Sequence, residues 1–166
     1  MKTVTRCAIA LAALAALCLS GPALAQEDPG MENFVKMLRK DIKAVKKELI
    51  AESGAVPADK ADAFWKSYDS YQGELKAIGD RQLGNIKSFG VNFGGMTDDK
   101  AKELTTNALA LRKDRLSLLE KYYKKWTGIL GPINAAKVVQ SEFAVQALID
   151  AELASEMPLI ESPTTK

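Results

Sequence analysis

The sequence contains no histidine, and its two cysteines, Cys7 and Cys18, both lie near the N-terminus. Histidine is the usual general base near neutral pH, and histidine and cysteine supply most zinc and copper ligands. The rest of the chain therefore lacks the commonest nucleophile–base pairs and has no thiol for a disulfide. This composition argues against an enzyme, and it predicts no catalytic residue, no metal site and no cofactor.

Carboxylates remain, and a pair of carboxylates can hydrolyse a glycoside. Asp98 and Asp99 are adjacent, but they suit the positive end of a helix that starts there. Asp150 and Glu152 would point to different sides of a helix. The glycines of residues 90–95 follow no predicted strand and lack the lysine of a phosphate-binding loop. Catalysis is therefore the last of the functional hypotheses.

The N-terminus has the order of a secretory signal peptide. Lys2 and Arg6 give a positive start, an apolar run covers residues 7–19, and the small residues Ala23 and Ala25 stand on either side of Leu24. This order predicts cleavage before Gln26 and a periplasmic location. The apolar run is shorter than the ~20 residues that a membrane-spanning helix needs. A lipoprotein signal and an uncleaved anchor are the alternatives.

Removal of residues 1–25 would leave 166 − 25 = 141 residues, a length typical of one domain over residues 26–166. Both cysteines would leave with this segment. Lys2 and Arg6 would also leave, so the 23 basic residues become 21, which equals the 21 acidic residues. A formally neutral mature chain does not indicate a nucleic-acid partner.

Apolar residues recur at steps of three and four along the mature chain, which predicts an all-α fold. Four long helices would form an elongated hairpin or bundle. Thr97 is a predicted N-cap, and Pro132 suits the first residue of the last helix. Helices of about 30 residues span roughly 45 Å, so their ends would be poorly covered, and a homodimer is one expected solution. The predicted helices cover residues 31–52, 59–89, 98–127 and 133–156.

Aromatic residues and lysines alternate in parts of the second and third predicted helices. If exposed, they could hold unfolded polypeptide through apolar and cation–π contacts. In the alternative interpretation, Tyr122 and Trp126 pack inward while the lysines stay in water. The candidate client-binding residues are Phe64, Trp65, Tyr68, Lys121, Tyr123, Lys124, Lys125 and Trp126.

Polar residues interrupt the apolar seams at a few positions, and a buried polar group needs a partner. The pattern predicts an internal polar network that fixes helix register, with Asp80 or Asp150 as the partner of Arg115. A ligand pocket between helices is the alternative. The network residues are Asp80, Gln82, Arg115, Gln146 and Asp150.

The first helix carries basic residues opposite its apolar stripe, which is compatible with peripheral contact to an anionic membrane or a charged partner. A solvated face is the other interpretation. The basic residues are Lys36, Arg39, Lys40, Lys43, Lys46 and Lys47.

Short motifs resemble those of the Spy/CpxP group of small periplasmic helical proteins, which carry Leu-Thr-x-x-Gln motifs. Residues 96–100, Met-Thr-Asp-Asp-Lys, stand where one such motif would be, and residues 130–134 are a second, weaker match. Residues 140–142 and 157–159 are similar to a Gln-x-Glu and a helix ending in other secreted helical proteins. The resemblance implies a curved helical dimer that holds unfolded envelope proteins without ATP, or that senses envelope stress.

The leading hypothesis is therefore a non-enzymatic, chaperone-like periplasmic protein whose partners are unfolded protein clients. The second is a structural or regulatory protein that docks on one envelope or membrane protein through its first or fourth helix. The third is a small-ligand protein, which requires a cavity near Arg115.

Overall fold

The computed structural model describes residues 29–160, with side chains from Arg39 onward. The described residues form four α-helices and no strand, which confirms the predicted all-α fold. Short 3₁₀ turns, Ala58–Lys60 and Phe93–Gly95, precede and follow the second helix. The predicted signal peptide and both cysteines lie outside the described residues. The helices are α1 (Pro29–Glu52), α2 (Ala61–Asn92), α3 (Asp98–Leu130) and α4 (Pro132–Glu156).

Helices α2 and α3 form the longest hairpin. Asn85 donates a hydrogen bond to the backbone carbonyl of Leu104, and further along the pair Lys121 binds Glu74, so the two helices run antiparallel. Only Gly131 separates α3 from α4. Its φ of 83° lies in the left-handed region that glycine tolerates, and this conformation turns the chain sharply. The result places α4 antiparallel to α3.

Helix α1 lies between α2 and α4 and completes an up-down-up-down bundle. Arg39 pairs with Asp80, whereas Lys47, about two turns later, pairs with Asp69 at 3.0 Å. This order makes α1 antiparallel to α2. Because α1 and α4 are shorter than α2 and α3, the α2–α3 hairpin is the long element of the bundle.

The basic side of α1 faces the other helices more than the sequence pattern indicates. Lys40 is exposed, and the side chain of Lys36 is outside the described set. The remaining basic residues form ion pairs with α2 or α4, so much of the charge on this side is paired within the bundle. These paired residues are Arg39, Lys43, Lys46 and Lys47.

The apolar seams of α2 and α3 form the core, as their spacing predicts. Tyr68, Tyr71 and Trp126 are its largest fully buried side chains. Aromatic rings pack at centroid separations of 5.2 Å (Tyr71–Trp126) to 5.9 Å (Tyr68–Trp126), within the range of favourable edge and tilted contacts. Other core members are Ile50, Phe64, Ile78, Leu111, Leu118, Leu119, Tyr122, Leu130 and Val138.

The helix ends follow the local chemistry. The Thr97 hydroxyl accepts a hydrogen bond from the backbone N–H of Lys100 at 3.2 Å, which confirms the predicted cap. Helix α3 continues through Gly128 to Leu130, three residues beyond the prediction, because glycine lowers helix stability without stopping a packed helix.

Candidate functional site

Three of the predicted client-binding aromatics are in the core. Phe64, Tyr68 and Trp126 are each 0% exposed. Their rings pack together, with Phe64 and Trp126 5.9 Å apart at the centroids. A buried ring cannot contact a client while the protein stays folded. The interpretation of these three residues as surface contacts is therefore corrected: they stabilise the bundle.

Two predicted aromatics remain at or near the surface. Trp65 is half-buried, stacks edge-on against Phe64 and carries Lys47 over its ring at 5.4 Å. Tyr123 is 37% exposed. It stands next to Tyr122, which is buried, so one turn of α3 presents adjacent tyrosines to opposite environments.

The predicted lysines have different roles. Lys121 pairs with Glu74 at 2.6 Å, and Lys125 lies 4.6 Å from the centroid of the Tyr122 ring. The Tyr122 hydroxyl donates to Glu74 at 2.7 Å. Burial, followed by this carboxylate, raises the pKa of Tyr122 to about 12. Lys124 is exposed, so the inward interpretation of Tyr122 and Trp126, with solvated lysines around them, describes this segment.

The most buried polar cluster is one that the sequence patterns did not indicate. Glu142 of α4 is 3% exposed and pairs with Lys46 of α1, also 3% exposed, at 2.7 Å. Tyr68 and Tyr71 of α2 donate their hydroxyls to the same carboxylate at 2.6 and 3.0 Å. Gln72 adds a longer contact at 3.4 Å. One carboxylate therefore joins three helices.

Each charge in this cluster has a partner. The Glu142 carboxylate accepts from both tyrosines and from Lys46, so little of its hydrogen-bonding capacity is unused. Burial, followed by the negative charge of Glu142, raises the pKa of Tyr68 and Tyr71 well above the ordinary value for tyrosine. Both hydroxyls therefore stay protonated as donors. We assign this cluster a structural role.

The predicted polar network forms in part. Arg115 donates to the Gln82 side-chain oxygen at 2.9 Å, and Gln146 donates to Asp150 at 2.7 Å. Asp80 does not take part, because it binds Arg39 and Lys76 on the exposed side of α2. The proposal of Asp80 as a partner of Arg115 is therefore wrong.

The remaining four network residues line one cleft between α2, α3 and α4, with a volume of about 430 Å³. This size lies within the range of small-molecule sites in proteins, roughly 300–1,000 Å³. The apolar side chains of Leu119, Leu153 and Met157 contribute to its walls. Leu116 and Phe143 also line the cleft and are 50% and 53% exposed. The cleft is therefore lined by both polar and apolar side chains, and two of the apolar ones are exposed.

Polar groups in the cleft are incompletely paired. Asn85 Oδ1 and Gln146 Oε1 are buried and accept no hydrogen bond from the described residues. Burial lowers the pKa of the Arg115 guanidinium from its ordinary value, an effect that the negative charges of Asp150 and Glu142 oppose. Because arginine remains charged in proteins, the cleft combines a cation, the Asp150 carboxylate and two acceptors that are unpaired among the described residues.

Some functional chemistry is absent from the described residues. Residues 39–160 hold no group of three or more acidic side chains placed to bind a metal ion. None of the described helices has the apolar length that crossing a bilayer demands.

Three comparisons of this chain, with models of protein families, with curated proteins and with solved structures, give no match.

Proposed function

We propose that this protein is a non-enzymatic, chaperone-like binding protein of the periplasm, which holds apolar segments of unfolded envelope proteins at the cleft beside α3 and α4. The observation that carries the proposal is the set of large apolar side chains exposed along these two helices next to the cleft. The predicted signal peptide and the resemblance to periplasmic helical chaperones support the compartment.

The exposed apolar residues of α3 form a line. Leu109, Leu116 and Tyr123 are 64%, 50% and 37% exposed, and each follows the last by seven residues. Residues seven apart lie on the same side of an α-helix after nearly two full turns. On α4, Phe143 and Leu148 are both 53% exposed. Leu116 and Phe143 both line the cleft, and exposed apolar side chains grouped at a cleft are typical of binding sites.

The surface is held on a rigid support. The cluster around Glu142 joins α1, α2 and α4, and the aromatic core joins α2 to α3. A client would therefore meet preformed apolar residues without reordering the bundle. Binding through a few half-exposed side chains is weak, because association must also offset the lost freedom of the client. Weak, reversible binding suits a protein that holds clients without nucleotide.

Aggregation of a model client tests the proposal. The purified protein, added at near equal molar ratio without nucleotide, should reduce light scattering by a chemically denatured client on dilution. Replacement of Leu116 and Phe143 by serine should abolish most of this effect. A matched double variant, Val91→Ser with Ile133→Ser, removes side chains that are 87% and 76% exposed and that do not line the cleft, so it should retain activity.

The outcome also separates the alternative function. Equal loss in both double variants would show that generic surface hydrophobicity, and not the cleft, binds the client. No suppression by the unmodified protein at severalfold excess would remove the chaperone proposal. The α4 surface around Phe143 and Leu148 would then be the first region to test for docking on a single envelope or membrane protein.

A further inference from the structure

The cleft contains a guanidinium, that of Arg115, which forms no ion pair with the described residues, although the carboxylates of Asp150 and Glu142 favour its charge. Four charged residues line it: Arg112, Arg115, Glu142 and Asp150. Glu142 is already paired with Lys46, outside this set. Arg115 forms its hydrogen bond with a neutral side-chain oxygen and makes no ion pair with the described residues. The half-buried guanidinium therefore offers several N–H donors to an incoming anion.

The side-chain oxygens of Asn85 and Gln146, which have no donor among the described residues, indicate a second property of the ligand. The Asn85 amide donates to the Leu104 backbone carbonyl at 3.1 Å, and the Gln146 amide donates to Asp150. These bonds fix the NH₂ half of each side chain, so its oxygen remains as an acceptor. A buried acceptor without a donor lowers stability, because it has lost its hydrogen bonds to water. A ligand with N–H groups would remove that cost.

The apolar lining of the cleft indicates the remaining property of the ligand. Apolar side chains from α3 and α4 line the cleft together with these polar groups, and the exposed part of the lining includes Leu116 and Phe143. The ligand should therefore have apolar side chains, backbone-like N–H groups and an anion. An apolar peptide that ends in a free carboxylate has all three.

We propose that the cleft binds the carboxyl-terminal residues of an apolar polypeptide, with Arg115 pairing with the terminal carboxylate and the side-chain oxygens of Asn85 and Gln146 accepting backbone N–H groups. This inference rests on the proposed function and names the part of a client that enters the cleft. Internal apolar segments of the same client would contact only the exposed part of the lining.

Peptide binding to the purified protein tests the proposal directly. Fluorescence anisotropy would compare a fluorescein-labelled Leu-Phe-Ala-Leu peptide with a free carboxylate and the same peptide with an amidated C-terminus. The free acid should bind about tenfold to a hundredfold more tightly, the factor that a charge-assisted hydrogen bond supplies. N-methylation of the last two backbone amides should weaken binding of the free acid. Unlabelled dodecanoate, added as competitor, tests whether a fatty acid takes the site instead.

Two arginine variants separate a ligand contact from a general charge effect. Arg115→Gln should abolish the difference between acid and amide, and Arg115→Lys should restore part of it. Arg81→Gln is the matched control, because Arg81 pairs with Asp114 on the exposed side of the α2–α3 hairpin and does not line the cleft. That control should keep the full preference for the acid. Far-UV circular dichroism verifies the fold of each variant.

Specific outcomes would overturn the inference. Equal affinity for acid and amide, or an unchanged preference in a folded Arg115→Gln variant, would show that the guanidinium does not bind the carboxylate. Displacement by dodecanoate without any effect of N-methylation would assign the site to a fatty acid. Suppression of aggregation without a preference for the acid would overturn this inference and leave the proposed function intact. A preference for the acid without suppression would support the peptide site and reject the chaperone function.

Discussion

The buried pair of Lys46 and Glu142 provides the sharpest test of how this bundle is held together. Both side chains are about 4% exposed, and their charged atoms are 2.7 Å apart. Replacement of Glu142 by glutamine leaves an acceptor for a tyrosine hydroxyl but removes the negative charge. Lys46 would then be buried without a counter-charge. The reverse change, Lys46→Met, leaves the carboxylate with its two tyrosine donors and no cation.

The expected magnitude follows from desolvation. Removal of one partner of a buried ion pair costs about 3–5 kcal/mol, because the other charge stays in a medium that cannot solvate it. Replacement of both charges removes this penalty. The double variant Lys46→Met with Glu142→Gln should therefore be more stable than the sum of the single effects predicts, by about 2–3 kcal/mol. A loss of 3 kcal/mol or more is a large part of the stability of an ordinary domain, which is about 5–15 kcal/mol.

Urea unfolding followed by far-UV circular dichroism would measure all four proteins of this double-mutant cycle. The control cycle uses Arg81→Gln and Asp114→Asn, an exposed pair between α2 and α3. Each single change in an exposed pair should cost less than about 1 kcal/mol, with little coupling, since water already screens these charges. The slopes of the unfolding curves should stay equal, which would show that only stability has changed.

Additive effects at Lys46 and Glu142 would refute this reasoning. So would a single variant at either position that loses less than about 1 kcal/mol. Either result would mean that water reaches the pair or that Lys46 finds another acceptor, and the three-helix junction would then not depend on charge pairing.

Three further predictions concern other parts of the bundle. Trp126 is 0% exposed and Trp65 is half-buried. Acrylamide should therefore quench the fluorescence of a Trp126→Phe variant, which retains Trp65, more strongly than that of a Trp65→Phe variant, which retains Trp126. Equal quenching of the two variants would place Trp126 in contact with water. Gly131→Ala should destabilise the protein by about 1 kcal/mol or more in urea unfolding, because the φ of 83° at this position strains any residue with a Cβ. Gly73→Ala should instead stabilise it by up to ~1 kcal/mol, because Gly73 lies in mid-helix and an added Cβ there meets no atom within 4 Å. The hydroxyl of Tyr71 is held protonated in the folded protein, so its pKa there is higher than the ordinary tyrosine value of 10.0. The stability that this gives is fully present below pH 10.0 and is lost as the pH rises above that value. The urea midpoint should therefore fall above pH 10.0, and it should fall less steeply in Tyr71→Phe.

The sequence predicted the helices well because their signals are local. The seams of α2 and α3 repeat at three and four residues, and almost every buried residue on these helices lies on them. Thr97 and Gly131 mark helix boundaries through their own backbone chemistry. These features need no knowledge of the neighbouring helix.

Lys46 could not be identified in the same way. It belongs to a run of basic residues that is usually a solvated face, and its partner Glu142 is 96 residues away. Single-sequence periodicity does not report contacts at that distance. Glu142 itself lies within the Gln-Ser-Glu motif of residues 140–142, but a lone carboxylate on a mixed helix is normally exposed.

The aromatic residues were difficult to interpret for a different reason, because their sequence pattern was compatible with two roles. The aromatic chemistry of Phe64, Tyr68 and Trp126 is compatible with a client-binding surface, whereas their spacing along the helices predicts a core. All three are buried, so the spacing gave the correct prediction. Each fully buried aromatic side chain removes a large apolar area from water, an effect that outweighs the weak contacts it could offer a client. Residues such as Leu116 and Phe143 are ordinary in the sequence, and only the packing of α3 beside α4 shows that they border a cleft.

The degree of hydrogen bonding differs between two groups of polar side chains in this bundle. Around Glu142 every charge has a partner, which is the condition for a polar cluster that stabilises a unique packing. In the cleft, by contrast, a cation and two amide oxygens stay incompletely paired among the described residues, and exposed apolar side chains share the lining. Among residues 39–160 the indole N–H of Trp126 also has no hydrogen-bond partner, but it lies within the aromatic core and does not line the cleft. Under the proposed peptide site, the unpaired groups at the cleft are therefore the ones that would gain partners from the ligand.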